Sequence, residues 1–408
     1  MITRNALALS LFVLAPACWG QSLAGLWDAT INYNGNDIPF QMGISGEGSS
    51  VKGWFFNGTD KEISNRGKLE NGVLTLDFDS YAAHLKATYK DGVLTGEYGP
   101  VVRKMSTIRA VRASEAKAAP AGNAPNINGN WDLVMDKKSG KGEDAWNLIL
   151  RQDGANLAAA ILRVDGDTGE ISGSYKEGKF TLSAFSGSRP ALMYITPQPD
   201  GSLKVALANL RGFTEMTAVR PEVAKAKGLP MPVDADAHTQ VTDPTKPFAF
   251  SFPDLNGKIV SNTDARFEGK VVLVVITGSW CPNCHDEAPY LEKIYEKYKG
   301  QGLEVVALSF EEGDQLANPM RLKAFIEEYG VKYTVLVCGE PDQAKEKLTQ
   351  AQNWDAWPTT FFVGRDGLVK AVHAGFPGPA SGDMYKKETG EFVARVEKLL
   401  AANQSAQK

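Results

Sequence analysis

Two rhythms of apolar and polar positions divide the chain near residue 246. Up to about residue 220 the apolar residues fall in short alternating runs, Val73-Leu-Thr-Leu-Asp-Phe78 and Val93-Leu-Thr-Gly-Glu-Tyr98 among them. A period of two predicts half-buried strands. Asn-Gly, Asp-Gly and Glu-Gly pairs separate the runs, at Asn71-Gly72, Asp91-Gly92 and Glu177-Gly178. Such pairs accept the positive φ of tight primed turns, so the strands are expected to join as hairpins.

The same region is duplicated. Gly25-Leu-Trp27-Asp28 returns as Gly129-Asn-Trp131-Asp132, and Asn71-Gly-Val-Leu-Thr-Leu76 as Glu177-Gly-Lys-Phe-Thr-Leu182. Asp91-Gly-Val-Leu94 matches Asp200-Gly-Ser-Leu203, and Ile108-Arg-Ala-Val-Arg112 matches Met216-Thr-Ala-Val-Arg220. Four matches in register imply two copies of one unit. The expectation is two antiparallel β-modules, residues 23–112 and 127–220, each a meander of about eight strands that closes or nearly closes into a small barrel. Neither copy concentrates catalytic residue types, and Trp27, Trp54, Phe55, Phe56, Trp131 and Trp146 read as core. Residues 113–126, with Ala-Pro-Ala-Gly-Asn-Ala-Pro, and residues 221–246, with Pro221, Pro230, Pro232 and Pro244, read as linkers.

From 247 to 403 apolar strands alternate with helical stretches, the pattern of an α/β unit with a partly parallel sheet. The expected order is a hairpin around Asp254-Leu-Asn-Gly257, strand 271–276, helix 281–298, strand 304–309, helix 317–329 and strand 332–338. A helix at 342–351, strands at 360–363 and 368–373, and a terminal helix at 388–401 complete it. The fold class is thus multidomain: two all-β repeats followed by an α/β domain. A formal net charge of -4 offers no basic footprint, which argues against a nucleic-acid partner.

The chemistry concentrates at Trp280-Cys281-Pro282-Asn283-Cys284, directly behind the apolar run Val271–Ile276 and ahead of the helix. A thiol where a strand hands over to a helix lies among unpaired backbone N–H groups at the positive end of the helix dipole, which favours a thiolate. Cys281 is therefore the candidate nucleophile. Cys284, one turn on, can attack a mixed disulfide formed at Cys281 and release the partner reduced.

The N-terminus has Arg4, an apolar stretch from Ala6 to Ala15 and a small-residue exit at Pro16-Ala-Cys18-Trp-Gly20. This is the pattern of a cleaved export signal, residues 1–20, too short to span a membrane. A periplasmic or other extracytoplasmic location is expected. Lipid anchoring through Cys18 is disfavoured because Ala15 stands where a large aliphatic residue is wanted. Removal of the signal would leave Cys281, Cys284 and Cys338, one working pair and a bystander expected to be a buried strand residue.

Phe250-Ser-Phe-Pro-Asp-Leu-Asn-Gly257, Gly269-Lys-Val-Val272, Trp280–Cys284, Glu287-Ala-Pro289 and Trp357-Pro-Thr-Thr360 together resemble the TlpA/ResA-type thiol-disulfide oxidoreductases, a thioredoxin-fold redoxin group. The resemblance covers about residues 246–403 and leaves out the β-repeats. It implies a redox-active disulfide between Cys281 and Cys284, a cis-proline at Pro358, and a substrate-binding edge made by Trp280, Trp357, Pro358 and Thr359. It gives Glu287 the role of a buried carboxylate exchanging a proton with Cys284, against the plainer reading of a solvated first-turn acid. It implies reduction of client protein disulfides, re-reduction by a membrane electron donor, and neither metal nor organic cofactor. Asn283, where the family often has proline, and the bulky Trp357 depart from the pattern.

Other readings compete. Cys281-Pro-Asn-Cys284-His285 is literally a haem-attachment string, but haem attachment requires neither the strand before it nor the Trp-Pro-Thr-Thr loop. On the redox reading His285 is an exposed first-turn residue whose positive form lowers the thiol pKa. Zinc lacks a second Cys/His cluster, since His84, His238 and His373 are scattered. A thiol peroxidase would use a Thr-x-x-Cys spacing, and Thr277 lies four residues before Cys281. A β-repeat binding protein with an accessory redox domain is the remaining alternative.

Overall fold

A computed structural model describes residues 22–100, 105–114, 124–209 and 212–402. The expected export signal with Cys18, and most of the 113–126 linker, lie outside the described residues.

The first copy of the repeat is one nine-stranded antiparallel sheet, from Gly25–Tyr33 to Ser106–Arg112. Its first and last strands pair, with Trp27 opposite Arg112. Strands Asp60–Ile63 and Arg66–Glu70 remain the two edges, so the sheet curls without closing. In the second copy Ala145–Asp153 pairs with both Gly129–Val134 and Asn156–Arg163, which closes a ring of eight strands. The short strand Gly166–Asp167 hangs on Asn156–Arg163 beside that ring.

The duplicated motif makes the same contacts twice. Trp27 Nε1 donates to Leu23 O and Trp131 Nε1 to Ile127 O, both at 2.9 Å. The Arg112 guanidinium lies 4.5 Å from the Trp27 ring centre and Arg220 lies 3.8 Å from that of Trp131, a cation–π stack in each copy. Each arginine also donates to backbone carbonyls next to its tryptophan. The glycines two residues before, Gly25 and Gly129, have φ of 130° and 108°, and a Cβ on either would crowd that arginine. The Gly-x-Trp-Asp and Ala-Val-Arg signatures are therefore two ends of one clasp. Trp27, Phe55 and Trp131 are buried, as expected, whereas Trp54, Phe56 and Trp146 are half-buried.

Between the barrels and the α/β domain, Pro221–Lys227 is helical and ends on Gly228 at φ 63°, and Gln240–Val241 pairs with Ala351–Gln352. The proline-rich stretch is thus docked structure. In the last domain we label strands β1 (Val271–Thr277), β2 (Leu303–Phe310), β3 (Thr334–Gly339), β4 (Thr359–Val363) and β5 (Val369–Ala374). Helices are α1 (Pro282–Tyr298), α2 (Met320–Tyr329) and α3 (Asp383–Ala401). The sheet order is β3-β2-β1-β4-β5, with β3, β2 and β1 parallel and β4 and β5 antiparallel to their neighbours. This is a thioredoxin-like domain.

Every residue of β1 is buried. Val272, Val274 and Ile276 face one core, and Val271, Leu273 and Val275 the other, under α1 and α3. A continuous apolar run is what a sheet covered on both faces requires. The helix expected at 342–351 is much shorter: a 3-10 turn Pro341–Gln343 leads into Ala344–Lys347, and the chain then bends so that 351–352 can pair with 240–241. No helix among the described residues is long and apolar enough to cross a membrane.

Candidate redox site

The end of β1 delivers the chain to the site, and the capping of α1 shapes it. Cys281 is the N-cap of α1, with extended backbone, and Pro282 occupies the first helical position. The Cys284 N–H points at Cys281 Sγ at 3.3 Å, so a helix donor left without an intrahelical acceptor finds the sulfur. Cys281 and Cys284 are free thiols and almost fully buried.

The turn before Cys281 is fixed from below. Glu311 and Arg321, both buried, pair at 3.1 Å. Glu311 Oε1 accepts the Ser279 N–H at 2.9 Å, and Arg321 Nε donates to the Ser279 hydroxyl at 2.9 Å. Trp280 Nε1 donates to Phe310 O at 2.9 Å. The Trp280 ring meets Trp357 edge-on, centroids 5.2 Å apart.

Trp357-Pro358 is a cis peptide. The Cys281 thiol faces Trp357 O at 3.5 Å, and Gly375 N–H donates to Pro358 O at 2.7 Å. The structure thus brings Trp280, Cys281, Trp357 and Pro358 together. Thr359, expected on a substrate-binding edge, lies inside the sheet next to the buried Pro358. Its side chain is fully buried, its hydroxyl donates to Ala356 O at 2.8 Å, and its neighbours in the sheet are Ile276 and Ala374. It shapes the loop from inside because it is already the first residue of a central strand.

Glu287 is 1% exposed, which removes the solvated first-turn reading. Its Oε1 accepts from the Thr360 hydroxyl at 2.9 Å. Burial raises its carboxyl to about 8, and the Thr360 bond holds it back from going higher. Cys284 is held well above the ordinary thiol range by burial, by Cys281 and, to a smaller extent, by Glu287, while the Thr277 hydroxyl opposes the shift. A proton-holding thiol therefore lies near a carboxyl that titrates close to neutrality.

His285 is not the exposed cation expected of it. It is buried, its Nε2 is 2.8 Å from Ser279 O and its Nδ1 2.9 Å from Tyr329 Oη, and its ring stacks on Tyr81 of the first β-module, centroids 4.5 Å apart. Burial pushes its pKa down to about 3, with the Arg189 and Arg321 charges adding to the shift, so the ring is neutral at pH 7. It braces the turn rather than charging it. Cys338 is a buried strand residue whose sulfur faces Leu336 O at 3.6 Å, and burial raises its thiol well above the usual range.

The β-modules reach the site, which the sequence did not announce. Arg189 of the second module donates to Asn283 Oδ1 at 2.6 Å and to Asp286 Oδ2 at 3.2 Å. Burial raises Asp286 to about 6 despite the arginine.

Residues 241–372 match the AhpC/TSA family. The chain is 33% identical over 147 residues to the thiol-disulfide oxidoreductase ResA of Bacillus thuringiensis subsp. konkukian, covering 36% of this chain and 74% of that one. It is 32% identical over 120 residues to ResA of Bacillus thuringiensis strain Al Hakam, covering 29% of this chain and 62% of that protein's length. A solved thiol:disulfide interchange protein of the thioredoxin family from Chlorobium tepidum is 21% identical, with a TM-score of 0.31, and matches 40% of this chain and 100% of its own.

Proposed function

The chain belongs to the ResA family of thiol-disulfide oxidoreductases, and from that premise we propose that it reduces disulfides of client proteins outside the cytoplasm. The observation that carries this reading is the capping geometry: Cys281 Sγ at the head of α1 with the Cys284 N–H 3.3 Å away. The first turn of the helix thus aims a backbone donor at the sulfur that would exchange.

The Cys281 thiolate attacks one sulfur of the client disulfide. A mixed disulfide forms, and the other client sulfur leaves as a thiolate that takes up a proton. Glu287, ionised, accepts the Cys284 proton. The Cys284 thiolate attacks Cys281 Sγ, the Cys281–Cys284 disulfide forms, and the second client thiolate leaves and is protonated. Two electrons pass to the client. A dithiol donor at the membrane would restore the pair; no organic cofactor or metal takes part. The half-buried Trp280 and Trp357 flank Cys281 where a client segment would lie, with the buried Pro358 fixing the loop that carries Trp357. The export-signal pattern at residues 1–20 supports the extracytoplasmic setting.

A Cys284→Ser variant tests the reading. It should accumulate mixed disulfides through Cys281 that dithiothreitol releases, and Cys281→Ser should accumulate none. Absence of any adduct in both would refute client exchange. It would favour a β-repeat binding protein with an accessory redox domain.

A further inference from the structure

The second β-module contacts the Cys-x-x-Cys turn, the loop before the cis-proline and the chain from the end of β5 to Ser381. Val164 is buried in a small cluster with Ala356, from the loop before the cis-proline, and Ala374, at the end of β5. Asp165 O accepts from the Asn283 side-chain amide, within the Cys-x-x-Cys turn. Gly166 forms a parallel β-bridge with Phe376. The Asp167 carboxylate accepts the Ser381 N–H at 3.1 Å. Arg189 ties the contact together, donating to Asp167 O at 3.3 Å as well as to Asn283 and Asp286.

The fit is close enough to dictate residue type. Gly166 has φ of 118°, and a Cβ there would lie 2.7 Å from Asn283 Nδ2 and nearer still to Phe376 O. Across the contact Gly375, at φ 74°, would carry its Cβ into Val164 O. Both glycines serve a backbone-to-backbone approach. An extended segment bridged to the end of β5 beside a cis-proline loop is held the way an extended client would be held. Cys281 in this state is 3% exposed.

We propose that the second β-module selects the clients of the redox site: the segment Val164–Asp167, locked by Arg189, walls one side of Cys281, so that disulfides enter when they are small or carried on a flexible strand and are turned away when they are embedded in a folded surface. This rests on the disulfide-exchange reading above. It gives the barrel a part in the reaction and gives Asn283, which stands where the family often has proline, a partner.

The test compares two oxidants for the reduced full-length protein, glutathione disulfide and a folded protein with a surface disulfide. The readout is the ratio of protein to small-disulfide rates, which cancels any change in thiol reactivity. Gly166→Val, whose branched side chain cannot enter the contact, should raise that ratio by about tenfold, equivalent to about 1.4 kcal/mol of relative access. Arg189→Ala should raise it in the same direction and serves as the second variant if Gly166→Val does not fold by circular dichroism. An unchanged or lower ratio in the folded variants overturns the proposal. If the wild type reduces neither disulfide, the exchange reading itself fails, a separate outcome.

Discussion

The Thr360 hydroxyl donates to Glu287 Oε1 at 2.9 Å inside the domain, from β4 to the helix that carries both cysteines. That bond stabilises the ionised carboxylate and works against burial, leaving the group at about 8. Resolution of the mixed disulfide needs the ionised form, so its rate should rise with pH through that value. Thr360→Val removes the opposing bond, and the rising limb should move to higher pH. Glu287→Gln should slow resolution by about a hundredfold or more and flatten the limb. Stopped-flow measurement of client release against pH reads both.

The same carboxyl couples stability to pH. Its folded-state value, about 8, lies above the ordinary 4.5, so the folded protein holds the proton more tightly than the unfolded chain. This contribution is full below about 4.5 and is lost as pH rises to about 8, by up to about 1.4 kcal/mol per unit. The urea midpoint of the wild type should fall between pH 5 and pH 9 relative to that of Glu287→Gln. Parallel midpoints would show that Glu287 does not titrate as described.

His285 acts with the opposite sign. Its folded value of about 3 lies below the ordinary 6.5, so stability is present above about 6.5 and is lost as pH falls towards 3. Acid should loosen the turn and its stack on Tyr81. Thermal unfolding from pH 7 to pH 4 should show a drop that His285→Phe, which cannot charge, lacks once its pH-independent loss of the two ring hydrogen bonds is subtracted.

Glu311 and Arg321 are buried and share Ser279. Glu311→Leu leaves Arg321 with only the half-buried Glu312, at 2.8 Å, and strands the buried Ser279 N–H, and should cost about 1–3 kcal/mol. Replacing both by apolar residues should cost less. Denaturant titration of the single and double variants checks the order.

What the chain disclosed in advance was what neighbours in sequence decide. Val271–Thr277, the Cys281 cap and α1 are consecutive, so strand, thiol and helix could be read as one unit. Pro358 and Glu287 were legible only through the family resemblance, because the bonds that define them, to Gly375 and Thr360, cross the sheet. His285 was misread because its surroundings, Tyr81 and Tyr329, come from a β-module and from α2. Thr359 follows a proline that is itself buried, and it is already paired on both sides in the sheet, which its sequence neighbours do not disclose. Which copy closes fully was left open, because the copies share turn signals: both pair their second strand with their third, but only the second copy also pairs 156–159 with 171–174 to complete its ring.

The most direct test of the account is a redox titration of the mature protein in glutathione and dithiothreitol buffers, read by thiol alkylation and intact mass. The prediction is one two-electron transition below about -200 mV, confined to Cys281 and Cys284, with Cys338 unmodified in the folded state throughout. A transition near about -120 mV would make the pair an oxidant, and a pair that never forms a disulfide would contradict the account at its centre.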